Sequence, residues 1–412
     1  MSLLKAKDPY TVYIFTSFTS AFLFTFIFTV NLLYHVQIVE LTLIQLVLVG
    51  TVLELTVFLF EIPTGLVADL KSRKLSIVIG YVLIGTGFLL EGLFPLFLTV
   101  LLSQILWGVG YTFTSGAGQA WIADEIGEEK SSLAFIKGAR AGNLGRIIAI
   151  PISILIGYQM INYPIIIGGL GMIGLAIILH IFMKEDNFKP APKEERQSSF
   201  TQMKDSLRNV IKYSKASLLL RILLLIGLLF GLYSEGIDRL WISHMKEFGN
   251  LTLLTDSDLV LFTGGVQFII VLVTFIALHF ISKSNIYSKL KAIYIALFIG
   301  STFIIVSLLG FAFSTFIISL IICYIILEVS RATMEPLTDV WLNRLIKESN
   351  MRATFFSIKG QVDAIGQIGS GPIIGSIAET FMTRIALVVS AIILSPVLLL
   401  YYVLIKKDRA KE

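Results

Sequence analysis

The feature that most constrains this chain is a succession of apolar runs close to 20 residues long, among them Leu41–Phe60, Leu75–Leu90 and Val260–Phe280. At a helical rise of about 1.5 Å per residue, roughly 20 residues match the ~30 Å hydrocarbon core of a bilayer. Composition agrees, because 56% of the 412 residues are hydrophobic and only 15% are charged. That is too little charge to cover the surface of a water-soluble protein of this length. The chain reads as an all-α polytopic membrane protein whose surroundings are the lipid bilayer.

Twelve transmembrane helices are expected, at about 10–34, 43–68, 75–93, 96–123, 133–157, 163–183, 216–243, 258–281, 290–309, 313–342, 353–379 and 384–405. The first, Tyr10–Tyr34, is too long for the apolar core of a signal peptide and lacks a convincing small-residue cleavage site, so it reads as an uncleaved membrane helix. Placing the N-terminus inside puts 24 of the 33 Lys and Arg residues in inner segments and only Lys246 and Arg384 in outer loops. The positive-inside rule therefore puts both termini in the cytoplasm. The longest polar stretch, 184–215, holds Pro190, Pro192, the charged run Lys193–Arg196 and a possible amphipathic segment Phe200–Tyr213. It divides the chain into two six-helix bundles, residues 1–183 and 216–412, joined by a cytoplasmic linker.

The halves echo each other. Trp121, Asp124 and Phe135-Ile136-Lys137-Gly138 recur as Trp341, Arg344 and Phe356-Ser357-Ile358-Lys359-Gly360. Both copies straddle the fourth-to-fifth helix junction of their half, as a parallel six-helix repeat requires. Several functions fall away on composition and motif. The single cysteine, Cys323, rules out an intramolecular disulfide and any thiolate metal cluster. No zinc, Walker A or Rossmann spacing is present, so neither a metal nor a cofactor is expected. His35, His180, His244 and His279 lie far apart near predicted helix ends and read as interfacial residues. The net charge of +5 is explained by topology and needs no nucleic-acid partner.

Between the second and third helices the chain reads Gly65-Leu-Val-Ala-Asp69-Leu-Lys71-Ser72-Arg73-Lys74. Gly65 permits close helix contact, Asp69 can engage a basic group or a helix N-terminus in the other half, and Arg73 and Lys74 hold the loop inside. This segment resembles the signature loop of the major facilitator superfamily, G-x-x-x-D-x-x-G-R-[RK]. Phe60-Glu61-Ile62-Pro63-Thr64 and Ala120-Trp121-Ile122-Ala123-Asp124-Glu125 are similar to a subgroup of bacterial drug/proton-antiporter-like exporters. The resemblance implies two pseudo-symmetric six-helix bundles, alternating access, and a cavity lined mainly by helices one, four, seven and ten. Departures are specific. Ser72 stands where the family usually has glycine, Gln104 stands where many proton-coupled members carry arginine, and the Gly-Pro pair of drug antiporters is missing near Gly142, Gly145 and Pro151. Gly369-Ser-Gly371-Pro372 sits instead in the eleventh helix.

A charge at a transmembrane helix centre costs roughly 2.5–3.5 kcal/mol on insertion scales, so such residues should be few and used. The tenth helix carries Glu328, Arg331, Glu335 and Asp339 in one polar stripe, with Arg331 able to pair with Glu328 or Glu335. The seventh holds Glu235, Asp238 and Arg239, followed by Trp241; Glu235 and Asp238 share a face, and Arg239 can bond Glu235. Glu54 and Glu61 share a face of the second helix, Arg140 and Arg146 lie in the fifth, and Lys359 can pair with Asp363 in the eleventh. Glu235, Asp238, Glu328, Arg331, Glu335, Glu54, Arg146 and Asp363 are the candidates for proton coupling or substrate contact. Static ion pairs locking helices together are the alternative, and Glu61 is expected to be structural, packing beside the signature loop. Phe15, Phe18 and Phe22 on the first helix, Trp107, Tyr111 and Phe113 on the fourth, and Trp241 are the candidate cavity aromatics; packing is the alternative for each.

These residues lead to an expected function: a monomeric, proton-coupled secondary transporter in a bacterial plasma (inner) membrane, exporting amphipathic or cationic organic compounds. An uptake symporter or uniporter, or a lipid flippase of the same fold, remains open at this stage. No Ser-His-Asp or metal spacing supports an enzyme.

Overall fold

The computed structural model describes residues 8–190, 208, 218–345 and 349–409. Among them every regular element is helical: α1 (Pro9–Gln37), α2 (Leu43–Leu70), α3 (Arg73–Leu93), α4 (Phe97–Thr114), α5 (Ala117–Ile126), α6 (Glu128–Gly157), α7 (Tyr163–Phe182), α8 (Leu218–Phe248), α9 (Asp256–Lys283), α10 (Leu290–Phe313), α11 (Ile317–Leu345), α12 (Ser349–Phe381), α13 (Thr383–Leu394) and α14 (Pro396–Arg409). Apart from Arg208, the expected amphipathic segment Phe200–Tyr213 lies outside the described residues.

Two expected helices are broken. The 96–123 helix stops at Thr114 and resumes at Ala117, because Gly116 takes a φ of +68° that helical continuation forbids and glycine alone tolerates cheaply. The 384–405 helix divides at Ser395-Pro396, although Thr383–Lys407 remains one membrane-length apolar span. Among the described residues, 11 spans qualify by length and composition as membrane-crossing. The expected span that does not qualify is the eleventh, 353–379: its helix, α12, is 33 residues long but carries Lys359, Asp363 and several amides, with Pro372 inside it.

The chain forms two compact units. One comprises 1–40, 52–204 and 255–264; the other comprises 41–51, 205–254 and 265–412. In the first, α1 packs on α6 and α7, and α3 packs on α4 and α7. In the second, α8 packs on α12 and α13, while α10 packs on α11, α13 and α14. The pairing scheme is the same in both units, which is the repeat that Trp121 and Trp341 announce. Lipid supplies no hydrophobic drive between helices, so close backbone approach at small residues does much of the work. A Cβ on Gly85 would stand 2.6 Å from the Gly169 carbonyl oxygen of α7, and one on Gly366 of α12 would stand 2.7 Å from the Leu228 carbonyl oxygen of α8.

Two histidines, expected at the interface, are instead buried near the ends of the equivalent helices α1 and α8. His35 Nε2 lies 2.6 Å from Glu91 Oε1, which also accepts from Asn31 Nδ2 at 2.6 Å. His244 lies 2.8 Å from the Thr383 hydroxyl and donates from Nε2 to the Phe311 carbonyl at 3.0 Å. His180 and His279 face outward.

Candidate substrate cavity

α8, α11 and α12 carry the polar side chains that meet in the second unit. Gly366 lets α12 lie directly on α8, which brings Asp363 and Gln367 beside Tyr233 and Asp238. The result is a cavity of about 630 Å³. All four charged residues of the α11 stripe, Glu328, Arg331, Glu335 and Asp339, line it.

Arg331 is the hub. Its guanidinium forks onto the Asp238 carboxylate, with Nη2 3.0 Å from Oδ2, and Nη1 also donates to Glu328 Oε1 at 2.9 Å. Paired donors matched to two carboxylate oxygens make this the strong form of a charge-assisted hydrogen bond. The same guanidinium lies 5.7 Å from the Tyr233 ring centroid. Glu335 forms no ion pair among the described residues and projects from an exposed position.

Lys359 does not take the Asp363 partner its spacing allows. It donates to Asp339 of α11 at 2.9 Å, and Asp363 accepts from Gln367 at 2.8 Å. Helix-to-helix contact overrides the weaker i,i+4 pairing. Among the described lining residues there are five carboxylates (Asp238, Glu328, Glu335, Asp339 and Asp363) and two cations (Arg331 and Lys359). The wall carries excess negative charge and is interleaved with aromatic rings.

Glu235 and Asp238 part company. Asp238 faces the cavity, whereas Glu235 is buried at 2% exposure with Oε2 3.7 Å from Arg239 Nε, beside Gly50. Trp241 is likewise buried and stacks on Tyr324 at 4.6 Å, so it is not a cavity wall.

The first unit holds a smaller cavity, about 400 Å³, lined by Tyr13, Tyr81, Tyr111, Trp121, Arg146 and several hydroxyls. Arg146 has no ion-pair partner among the described residues, and no acid shares that wall. Of the expected aromatics in this unit only Tyr111 borders the cavity, within electrostatic range of Glu54 and Glu61. Phe15 and Phe113 are absent from the wall. Phe18 and Phe22 stack on each other at 6.3 Å against Gly145 of α6, and Trp107 packs among Phe24, Phe28 and Phe88. One stripe per helix cannot tell a cavity face from a helix-packing face. Tyr13, Phe24 and Tyr81 line the cavity without standing out in sequence, since an isolated aromatic carries no pattern.

The signature loop is a tight electrostatic knot. Arg73 Nε lies 2.6 Å from Asp124 Oδ2, and Arg73 Nη1 lies 3.2 Å from Asp69. Asp69 is thus paired with its own i,i+4 neighbour. Ser72, the departure from glycine, caps α3: its hydroxyl accepts from the Leu75 N–H at 2.9 Å and donates to Glu185. Glu185 also accepts from the Arg73 and Lys74 N–H groups at 2.6 and 3.1 Å, an anion seated on a helix N-terminus. Lys74 is held there through its backbone, while Gly65 has no neighbour close enough to require its lack of a side chain. Trp121 Nε1 donates to the Lys184 carbonyl at 2.6 Å, and Ser115 donates to Glu61 at 2.9 Å.

Residues 12–325 match the sequence profile of the Major Facilitator Superfamily. The uncharacterized MFS-type transporter YxaM of Bacillus subtilis (strain 168) is 24% identical over 380 residues, covering 90% of this chain and 89% of that protein. Among solved structures, a mutant of the nucleoside transporter NupG superposes with a TM-score of 0.73 at 14% identity, covering 96% of this chain and 99% of that one. A bacterial homolog of the human lysosomal transporter Spinster, inward-facing and unoccupied, gives 0.73 at 13% identity, with 97% and 98% covered. At such identities these structures speak for the fold alone.

Proposed function

The chain belongs to the Major Facilitator Superfamily, and on that premise we propose that it is a proton-coupled exporter of cationic, amphipathic organic compounds working by alternating access. The observation that carries this reading is the charge balance of the 630 Å³ cavity, five carboxylates against two cations with aromatic rings between them. An acidic, partly apolar wall attracts an organic cation through Coulomb energy and ring faces together. The first-unit cavity, with Arg146 and no acid, offers no such attraction.

Coupling follows from competition for the same carboxylates. Arg331 occupies Asp238 and Glu328, and a proton on either acid removes one of its partners. Protonation also lowers the wall's negative charge, which releases a bound cation and shifts the balance between access states by the difference in affinity. Each proton moving inward gains roughly 2.3 kcal/mol per 100 mV of membrane potential, enough to drive a useful gradient. Asp238 and Glu328 are the first candidates for the titrating acid, with Glu335 and Asp363 next. Glu54, Glu235 and Arg146 stand outside this wall and act, on this reading, through packing and field.

The deciding experiment places the purified protein in liposomes that enclose a pH dye and adds a panel of cationic and neutral amphiphiles. Substrate-dependent proton flux that disappears in Glu328→Gln or Asp238→Asn is the expected result. Substrate movement without proton flux would leave a facilitator of the same fold and remove the coupling scheme. Accumulation in right-side-out vesicles under an inward proton gradient would reverse the direction to uptake. Tight copurifying lipid, moved between leaflets in the same liposomes, would make the protein a flippase.

A further inference from the structure

The first-unit cavity, about 400 Å³, plays no part in the cation reading. Its volume suits a small organic ligand, near the lower end of the range for such sites. Three helices bring donors to it that the protein leaves unmet. Arg146 of α6, Gln119 of α5 and the Tyr111 hydroxyl of α4 make no hydrogen bond or ion pair among the described residues. All three residues are exposed, Tyr111 by 44%, so a ligand atom can reach them. The register of α6 places Arg146. A Cβ on Gly142 would stand 3.3 Å from the Ser17 carbonyl oxygen, and Arg146 follows one turn later on that face. It therefore emerges beside the α1 row Ser17, Ser20 and Phe24, which lines the cavity. The hydroxyls of Thr16, Ser17 and Thr114 spend their protons on carbonyls of their own helices, at 2.8, 2.8 and 2.9 Å. No acid lines this wall; Glu54 and Glu61 act on Tyr111 from outside it, and Glu61 accepts from Ser115. A cation within a membrane helix is costly, so one without a partner is expected to be used.

We propose that Arg146, Tyr111 and Gln119 form a binding site for an organic oxyanion, a small aromatic or amphipathic acid. The guanidinium presents paired donors that match two oxygens of a carboxylate or phosphate, and the phenol and amide add single donors. Tyr13 and Phe24, half-buried on the same wall, offer ring faces to an apolar body. The first unit thus selects the charge opposite to the one the second unit attracts. The inference goes beyond the cation reading, in which Arg146 acts only through packing and field, and does not rest on it. A lipid headgroup phosphate shares the chemistry of a soluble acid, and the experiment separates the two.

The probes are naphthalene-2-carboxylate and its uncharged isostere naphthalene-2-carboxamide. Each is titrated calorimetrically into the full-length protein in phosphatidylcholine nanodiscs, with the heat of empty discs subtracted. The carboxylate should bind about tenfold more tightly than the carboxamide, the scale of one charge-assisted hydrogen bond. Arg146→Gln should bring that ratio to one, and Arg146→Lys, which keeps the charge but loses the fork, should retain part of it. Tyr111→Phe removes a single oxygen and should lower the ratio several-fold, so it decides the matter if Arg146→Gln does not fold. Arg331→Gln, in the second unit, should leave the ratio intact. Native mass spectrometry identifies the source of the oxyanion. Phospholipid held by the wild type, lost in Arg146→Gln and displaced by the carboxylate makes it a lipid headgroup; its absence makes it a soluble acid.

A wild-type ratio of one, with no phospholipid held through Arg146, overturns the site. So does a ratio that survives in both Arg146→Gln and Tyr111→Phe. A ratio lost in Arg331→Gln but kept in Arg146→Gln would seat the acid in the second unit and overturn the site as well. That last result would also count against the cation reading, whereas the first two leave it untouched.

Discussion

At the residue scale the lesson lies in Glu91, which composition hides inside an apolar run and which proves fully buried against His35 and Asn31. The signal was present: Asn31 and His35 are four apart on one helix face, opposite a lone acid in α3. Removing one member of a buried ion pair costs about 3–5 kcal/mol, and removing both costs less. Glu91→Leu should therefore lower the unfolding midpoint in detergent more than the double change His35→Phe with Glu91→Leu. A double-variant loss equal to the sum of the two single losses would show that the two side chains are energetically independent. Arg331 makes the complementary point. Its spacing allowed Glu328 or Glu335, and the structure chose Glu328 together with Asp238, a residue 93 positions away.

Among the elements, α3 shows how a local departure becomes structural. Its N-terminus is capped from two directions, by Ser72 and by the Glu185 carboxylate arriving from beyond α7. A serine cap replaced by alanine costs about 1 kcal/mol, and replaced by glycine only a few tenths. Ser72→Ala should thus destabilise α3 more than Ser72→Gly, read as amide exchange at Leu75 and Ser76. The opposite order would mean that N-cap preference does not set the cost at this position. The break between α4 and α5 belongs at this scale too. Gly116 turns the chain and Ser115 reaches Glu61 of α2, so Glu61 is tied to a helix end rather than to a cavity.

For the whole molecule, the repeat of helix pairing in the two units accounts for the family's fold at identities below 25%. Apolar spans and small-residue contacts recur, while the particular side chains need not. Topology is testable with little engineering, because Cys323→Ser removes the single cysteine. A membrane-impermeant thiol reagent should then label Thr252→Cys in intact cells, and Asn187→Cys only after the membrane is opened. The reverse pattern would invert the expected orientation and with it the direction of every proposed proton step.

What the sequence by itself determined was the class of fold, the approximate helices and the family, because each depends on properties of a continuous segment: apolar length, loop charge, and a motif of ten residues. It also marked the α11 stripe, since helical periodicity places Glu328, Arg331, Glu335 and Asp339 on one face wherever that face points. Only the tertiary structure decided what the faces meet. It turned Asp238 toward Arg331 and Glu235 away, gave Lys359 to Asp339 instead of Asp363, and sent Phe18, Phe22, Trp107 and Trp241 into helix contacts. A side chain's partner across two helices depends on their separation and rotation. Those are set by distant close approaches such as Gly366 on Leu228, which no local pattern encodes.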